Sequence, residues 1–252
     1  MKGTFKYAIT IVAGILTLGI MPAIALAQDD PLSEIEKKIR KLVPGASSIA
    51  ISETPLNDLY QVQVGNEIYY ATADAKYLII GRIIDMDTRV NITDQAKSSI
   101  RKNLLVGLDA SEQIKFSPAE PEYELLVFTD IDCGYCRKLH NQIDDYMAEG
   151  IAINYVAFPR AGLNSHSFEK FVSVWCADDQ QAALTLAKNG DEPVPLQCDN
   201  PVGEQYELGR SLGVTGTPAL VTNDGTLIPG YVPPAQLKAR LLALDAELAQ
   251  SD

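Results

Sequence analysis

Histidine and cysteine are scarce in this chain of 252 residues: His140 and His166 are the two histidines, and Cys133, Cys136, Cys176 and Cys198 the four cysteines. Basic residues are outnumbered, 21 against 33 acidic ones, so nucleic acid and anionic membrane surfaces are poor partners. After Gln28 no apolar run approaches the length needed to span a bilayer. Internal repeats and low-complexity segments are absent as well. What the chain does have is apolar material, 46% of its residues, so a core can be buried without disulfides to hold it.

The N-terminus carries an address. Lys2 and Lys6 precede an uncharged run over residues 7–21, followed by Pro22 and the small-residue ending Ala25-Leu26-Ala27. Residues 1–27 read as a secretory signal peptide cleaved after Ala27. An uncleaved anchor is the alternative, since uncharged residues continue to position 27, but Pro22 and the Ala-x-Ala ending favour cleavage. No cysteine stands there to take a lipid. Removing the segment leaves 19 basic against 33 acidic residues, a net charge of −14, in a compartment where thiols can be oxidised and stay so.

Two domains are expected. Residues 31–43 place Leu32, Ile35, Ile39 and Leu42 at helical spacing, with Ser33 as a possible cap and Pro44-Gly45 as the stop. Over residues 47–90 the pattern turns to strands, SIAIS, LYQVQV, EIYYAT and KYLIIGRIID, separated by turn signals. Residues 28–92 thus form a small α+β unit without cysteine or histidine. Residues 93–106 carry a narrow apolar stripe, Ala96, Ile100 and Leu104, suited to a helix bridging two domains. The Pro-rich KFSPAEPE follows, so residues 93–118 read as linker helix and connector.

Residues 119–252 then alternate: strand 123–129, helix 134–147, strand 152–158, helices across 165–188, helix 203–212, strand 219–222, a turn at Asn223-Asp224-Gly225 into strand 226–228, and helix 233–249. A β-α-β half, a helical insertion and a β-β-α half imply a mixed sheet covered by helices on both faces.

The chemistry is concentrated in FTDIDCGYCRKLH, residues 128–140. The apolar strand runs into Cys133 and the apolar periodicity of a helix resumes at Leu139 and Ile143, so Cys133 stands at a helix start. There the free backbone N–H groups and the helix dipole stabilise an anion and lower a thiol pKa. Cys136, one turn on and within disulfide range, is the natural resolving thiol. Gly134 leaves room for a substrate chain, and Tyr135 offers an aromatic edge. A c-type haem site would need histidine where Arg137 stands. A zinc site would need further ligands, and Cys176 and Cys198 form neither a second C-x-x-C nor a set with well-placed histidines. No metal or cofactor is expected.

Cys176, after Trp175 at the end of an apolar helix, and Cys198, in the irregular DEPVPLQCDNP, read as a structural disulfide, the pairing that leaves the C-x-x-C local. Thr217-Pro218 in GVTGTPAL stands immediately before an apolar strand. In the company of the dithiol it reads as a cis peptide.

These residues carry a resemblance. The second domain resembles the thioredoxin superfamily, and the whole mature chain is similar to the DsbC/DsbG family of periplasmic disulfide isomerases in its signal peptide, cysteine-free first domain, linker helix, CGYC, AFPRAGL, WC, TGTPA and GTLIPGY. The resemblance implies a cystatin-like N-terminal dimerisation domain and a thioredoxin-like catalytic domain with a helical insertion. It implies an attacking Cys133, its partner Cys136, and substrate contacts from Tyr135 and the Thr217-Pro218 loop. Homodimers, misfolded disulfide-containing exported proteins and a DsbD-like membrane reductase are the implied partners, and the periplasm the implied location. In the first domain the apolar strands near residues 65–70 and 78–84 are the candidates for pairing between subunits.

One departure is visible. Classical thioredoxins bury an acid six residues before the first cysteine, and here that position is Val127. Asp130 and Asp132 read as caps or solvated residues without a catalytic role, His140 as a packing or surface histidine, and His166 as a loop residue near a helix start. Two other activities stay open: a DsbG-like reductase of single oxidised cysteines, which typically has proline where Gly134 stands, and a holdase chaperone without redox turnover.

Overall fold

The computed structural model describes residues 30–46 and 48–251; the expected signal peptide at residues 1–27 lies outside them. Helix α1 (Pro31–Leu42) starts at Asp30, whose carboxylate accepts from the Leu32 amide at 3.2 Å. The cap is therefore Asp30, and Ser33 stands inside the first turn. Ile35 and Ile39 share one face and are buried. They cover an antiparallel sheet in the order β1 (Ile49–Glu53), β2 (Leu59–Val64), β3 (Glu67–Thr72), β4 (Leu78–Ile79). With Val62 and Ala71 they make up the fully buried part of a small core.

The long strand expected over residues 76–85 is short in fact. Ile79 and Leu78 pair with Tyr70 and Ala71, and then the chain leaves the ladder. Ile80, Ile84 and Met86 beyond it are 77%, 54% and 91% exposed. With no core to face, these apolar side chains gain nothing by extending the strand.

Helix α2 (Ile92–Leu105) is tied to both domains. At its start the buried Thr93 hydroxyl meets Tyr70 Oη at 2.5 Å and accepts from the Ile83 amide at 2.9 Å. Further along, Arg101 donates to the carbonyls of Leu212 and Gly225 at 2.9 and 3.4 Å. Gly225, at φ +88°, lies so close that a Cβ there would stand 2.1 Å from the Ser98 carbonyl oxygen. The turn after β2 adds Asn66 Nδ2 to the Ser211 carbonyl at 2.7 Å. The bridging helix is thus docked along the second domain.

The second sheet has the order β5-β7-β6-β8-β9, with β5 (Ile114–Phe116), β6 (Tyr123–Thr129), β7 (Ile151–Ala157), β8 (Ala219–Val221) and β9 (Leu227–Pro229). β6 and β7 are parallel, and the other neighbours antiparallel. β5 lies inside the stretch read as a connector; three residues before a Pro-rich segment carry too little alternation to announce an edge strand. Along β6, Leu125 and Val127 enter one core cluster while Leu126 and Phe128 enter the other. Burial on both faces explains why this strand is continuously apolar.

Helices α3 (Gly134–His140), α4 (Ile143–Ala148), α5 (His166–Trp175), α6 (Gln180–Asn189) and α8 (Pro234–Ser251) supply the larger cluster. The other face receives α7 (Val202–Ser211) and the last turn of α2. Gly209 permits this packing, because a Cβ there would lie 2.5 Å from Phe158 and 2.9 Å from Phe128 ring carbons. The single helix expected over residues 134–147 is two helices. Gln142 turns to φ −112°, ψ 20°, its amide bonds the nearer Leu139 carbonyl, and its side chain is held by the Tyr231 hydroxyl. Among the described residues no helix is long and apolar enough to cross a membrane.

Candidate functional site

The site lies where β6 ends. Thr129 and Asp130 carry the chain out of the sheet, and Cys133 becomes the N-cap residue of α3 at φ −83°, ψ 121°. The extended conformation at Cys133 followed by helix lets the Cys136 backbone amide point back at the Cys133 sulfur. Both thiols are free. Their exposures are 3% and 0%, so the difference in access expected between them is small. Tyr135 between them is 64% exposed and stacks on Tyr231 at 6.4 Å.

The peptide bond Thr217-Pro218 is cis, and it brings the Thr217 carbonyl to 3.2 Å from Cys133 Sγ, where it accepts from the thiol. The Thr217 hydroxyl is buried beside it and has no hydrogen-bond partner. A thiolate would give it one.

The two thiols divide their acidity. Cys133 is brought down to about 5, foremost by the hydrogen bond from the Cys136 thiol, against burial, and further by Thr217, the Cys136 amide and the charge of Arg160. Cys136 is pushed well above the usual thiol range, first by burial and then by donating to Cys133. One proton shared by two close sulfurs ends on the deeper one. Cys133 is therefore a thiolate near neutral pH, and the thiolate is the form that attacks disulfides.

Asp130 departs from its reading as a cap or solvated residue. It is 2% exposed and accepts from the Asp132 amide (2.7 Å), the Ser167 hydroxyl (2.8 Å), the Arg160 amide (2.8 Å) and Arg160 Nε (3.2 Å). Burial pushes its carboxyl up, but these donors and the Arg160 charge outweigh it and leave the pKa below the usual value. Asp130 thus pins Arg160, in the AFPRAGL stretch, beside the thiols. Asp132 is a surface partner of Arg137 and Lys170, each at 3.1 Å.

His140 packs inside. It is 3% exposed, its ring nitrogens face Tyr155 Oη (3.2 Å) and Thr185 Oγ1 (3.0 Å), and burial and Lys188 bring its pKa to about 4. His166 opens α5 and pairs with Glu192 at 3.0 Å. Cys176 and Cys198 are disulfide-bonded, 22 residues apart in sequence, and close a loop on the helical insertion that is worth about 3 kcal/mol in the chain-entropy model. No cluster of metal-ligating side chains occurs among the described residues.

Two neighbours of the thiols escaped sequence reading. Arg160 follows a proline in a loop and shows no pattern of its own. Lys188 reaches under the dithiol from α6 and is 1% exposed; its place four residues after Leu184, on the buried side of that helix, was the available signal.

A helix-capping C-x-x-C facing a cis-proline on a mixed sheet defines a thioredoxin-fold thiol-disulfide exchange protein. The comparisons make this particular. Residues 110–245 match the thioredoxin-like domain model, and residues 25–94 the model of the disulfide bond isomerase protein N-terminal domain. The chain is 37% identical to the thiol:disulfide interchange protein DsbC of Dickeya dadantii over 93% of its own length and 94% of the relative's. It is 38% identical to DsbC of Escherichia coli over 81% and 84%. A disulfide interchange protein of Neisseria gonorrhoeae of known structure aligns with 52% of this chain and 95% of its own at 30% identity and a TM-score of 0.47. The chain belongs to the DsbC family of thiol:disulfide interchange proteins.

Proposed function

We propose that this chain reshuffles incorrect disulfides in exported proteins, with Cys133 as attacking sulfur and Cys136 as resolving sulfur. The Cys133 thiolate attacks one sulfur of a substrate disulfide; a Cys133–substrate bond forms, the substrate S–S bond breaks, and the other substrate sulfur leaves as thiolate. Two exits follow. A substrate thiolate attacks the mixed disulfide and restores Cys133 with a new pairing, or Cys136 attacks Cys133, releases the substrate reduced and leaves a Cys133–Cys136 disulfide. The second exit calls for a dithiol reductant, and a DsbD-like membrane reductase is the proposed source.

The observation that supports this reading most directly is the Cys133 sulfur set between Cys136 and the Thr217 carbonyl of the cis peptide. A backbone carbonyl beside the nucleophile suits an extended substrate segment, and exposed Tyr135 suits contact with its side chains. The first domain is proposed to form a homodimer through the part of the outer edge of β3 that β4 leaves unpaired, before Tyr70, and through the largely exposed residues 78–84. The periplasm is the proposed location.

Refolding of a scrambled multi-disulfide protein tests the reading. The parent and Cys136→Ala are expected to rescue it by direct reshuffling, and Cys133→Ala to fail. Equal rescue by Cys133→Ala would leave only a chaperone. Reduction of isolated sulfenic acids without reshuffling would favour the DsbG-like activity.

A further inference from the structure

Lys188 is the buried lysine of the second domain, 1% exposed, and the exchange chemistry above makes no use of it. Its Nζ donates to Thr129 Oγ1 at 2.6 Å and to the Asp130 carbonyl at 2.9 Å. Both partners are neutral oxygens, so the ammonium is buried without a paired carboxylate, an arrangement that is costly unless something compensates. An ammonium cannot accept a hydrogen bond. Since Thr129 Oγ1 accepts from Nζ, its own proton is left free to turn toward Cys136, whose thiolate Thr129 and Lys188 both favour.

We propose that Lys188 and Thr129 form a polarised chain, Nζ to Oγ1 to Sγ, that stabilises Cys136 as the resolving thiolate and so sets how readily the protein escapes from its mixed disulfides. The inference rests on the exchange reading above. In this chain Thr129 is the member that turns its proton to the reacting sulfur; Lys188 acts through it as a positioning residue. In the escape step Cys136 gives its proton to water, the Cys136–Cys133 bond forms, the Cys133–substrate bond breaks, and the substrate sulfur leaves with the electron pair and takes up a proton from water. The dithiol is oxidised and the substrate disulfide reduced.

The chain matters most at that step. In the free dithiol, burial and the bond given to Cys133 keep the Cys136 proton in place, while Lys188 and Thr129 pull the other way. Once Cys133 is bound to substrate it carries no charge to hold that proton. Lys188 and Thr129 then face burial alone.

Other charged groups bear on the same atoms. Lys188 is pushed down to about 8 by burial, with Cys136, Asp130 and Cys133 acting against that shift and Arg137 with it. Cys136 also faces Arg160 and the Tyr155 hydroxyl, and Lys188 faces His140. Asp130 and Arg160 bond each other, and His140 and Tyr155 are neutral near pH 7 from the directions of their shifts.

The test uses the reduced full chain and a symmetrical aromatic disulfide that releases one coloured thiol on attack by Cys133 and a second on escape by Cys136. Lys188→Met and Thr129→Val are expected to slow the second release about tenfold at pH 7 and to move its pH midpoint up by about one unit. The first release should change far less. Thr129→Ser keeps the hydroxyl and should restore the second phase. Should Lys188→Met fail to fold, the Thr129→Val and Thr129→Ser pair decides. A second-phase midpoint unmoved in Thr129→Val, or both phases slowed alike, overturns the inference. Absence of a first release from the parent would instead overturn the exchange reading itself.

Discussion

The two domains solve folding differently. The first covers its sheet with one short helix, buries Ile35, Ile39, Val62 and Ala71, and leaves Ile80, Ile84 and Met86 in solvent. The second sandwiches a five-stranded sheet between helices and gathers the thiols and the buried Asp130, His140 and Lys188 at one end of it. Buried polar groups are tolerable only inside a rigid, well-packed surround that keeps them hydrogen-bonded. The first domain's uncovered apolar edge is the kind of surface that a second chain can complete.

The contrast is broken most strongly at the dithiol. Cys133 alkylation should stay fast from pH 8 down to about 6 and fall by half near pH 5, because the Cys133 thiol is brought down to about 5. An ordinary thiol would instead lose half its rate near its own pKa of about 8.5. The linkage has a definite sign. Because the folded pKa is depressed, the thiolate stabilises the reduced folded protein above the unfolded thiol's pKa, and that contribution is lost as pH falls through about 5. Denaturant melts of the reduced chain across that range check it. A midpoint near 8.5 would remove the asymmetry between the sulfurs.

Packing comes next. Gly209→Ala forces a methyl group into Phe158 and Phe128, an overlap costing about 3 kcal/mol against about 1 kcal/mol of helix propensity gained. Thermal unfolding should show the second domain weakened by about 2 kcal/mol. An unchanged melting temperature would mean that its core yields as easily as that of the first.

A smaller effect is expected at the contact between domains. Gly225→Ala meets the α2 backbone at Ser98 and Lys102 and strains a positive φ, worth about 1–2 kcal/mol. Proteolysis within residues 92–108 should accelerate while Cys133 alkylation stays as in the parent, because α2 loosens and the dithiol does not. The smallest change to the folded monomer is expected from Ile80→Asp at a site already 77% exposed, within about 0.5 kcal/mol. Self-association measured by sedimentation should weaken nonetheless. If it does not, the open edge of the first domain has no pairing role.

Much of the second domain was legible in the chain. β6 showed as a continuous apolar run, helices were expected across residues 165–188, and the dithiol announced its position by lying between strand and helix signals. What escaped was short or cooperative. β5 has three residues; the break at Gln142 depends on a tyrosine 89 positions away; the early end of β4 depends on how little covers it. The site followed the same division. Cys133, Cys136, Thr217 and Pro218 stood in short motifs, whereas Asp130 read as a solvated residue because its ligands, Ser167 and Arg160, lie 37 and 30 residues on.

The sequence by itself determined the two-domain plan, the local C-x-x-C, the strand and helix around it and the second cysteine pair, because these rest on periodicity and spacing within a few residues. Only the tertiary structure decided which thiol keeps the proton, which acid is buried and which lysine lies beneath the sulfurs. Those outcomes depend on desolvation and on charges brought together from β6, α3, α6 and the loop after β7, and such energies arise only when segments distant in the chain are packed against one another.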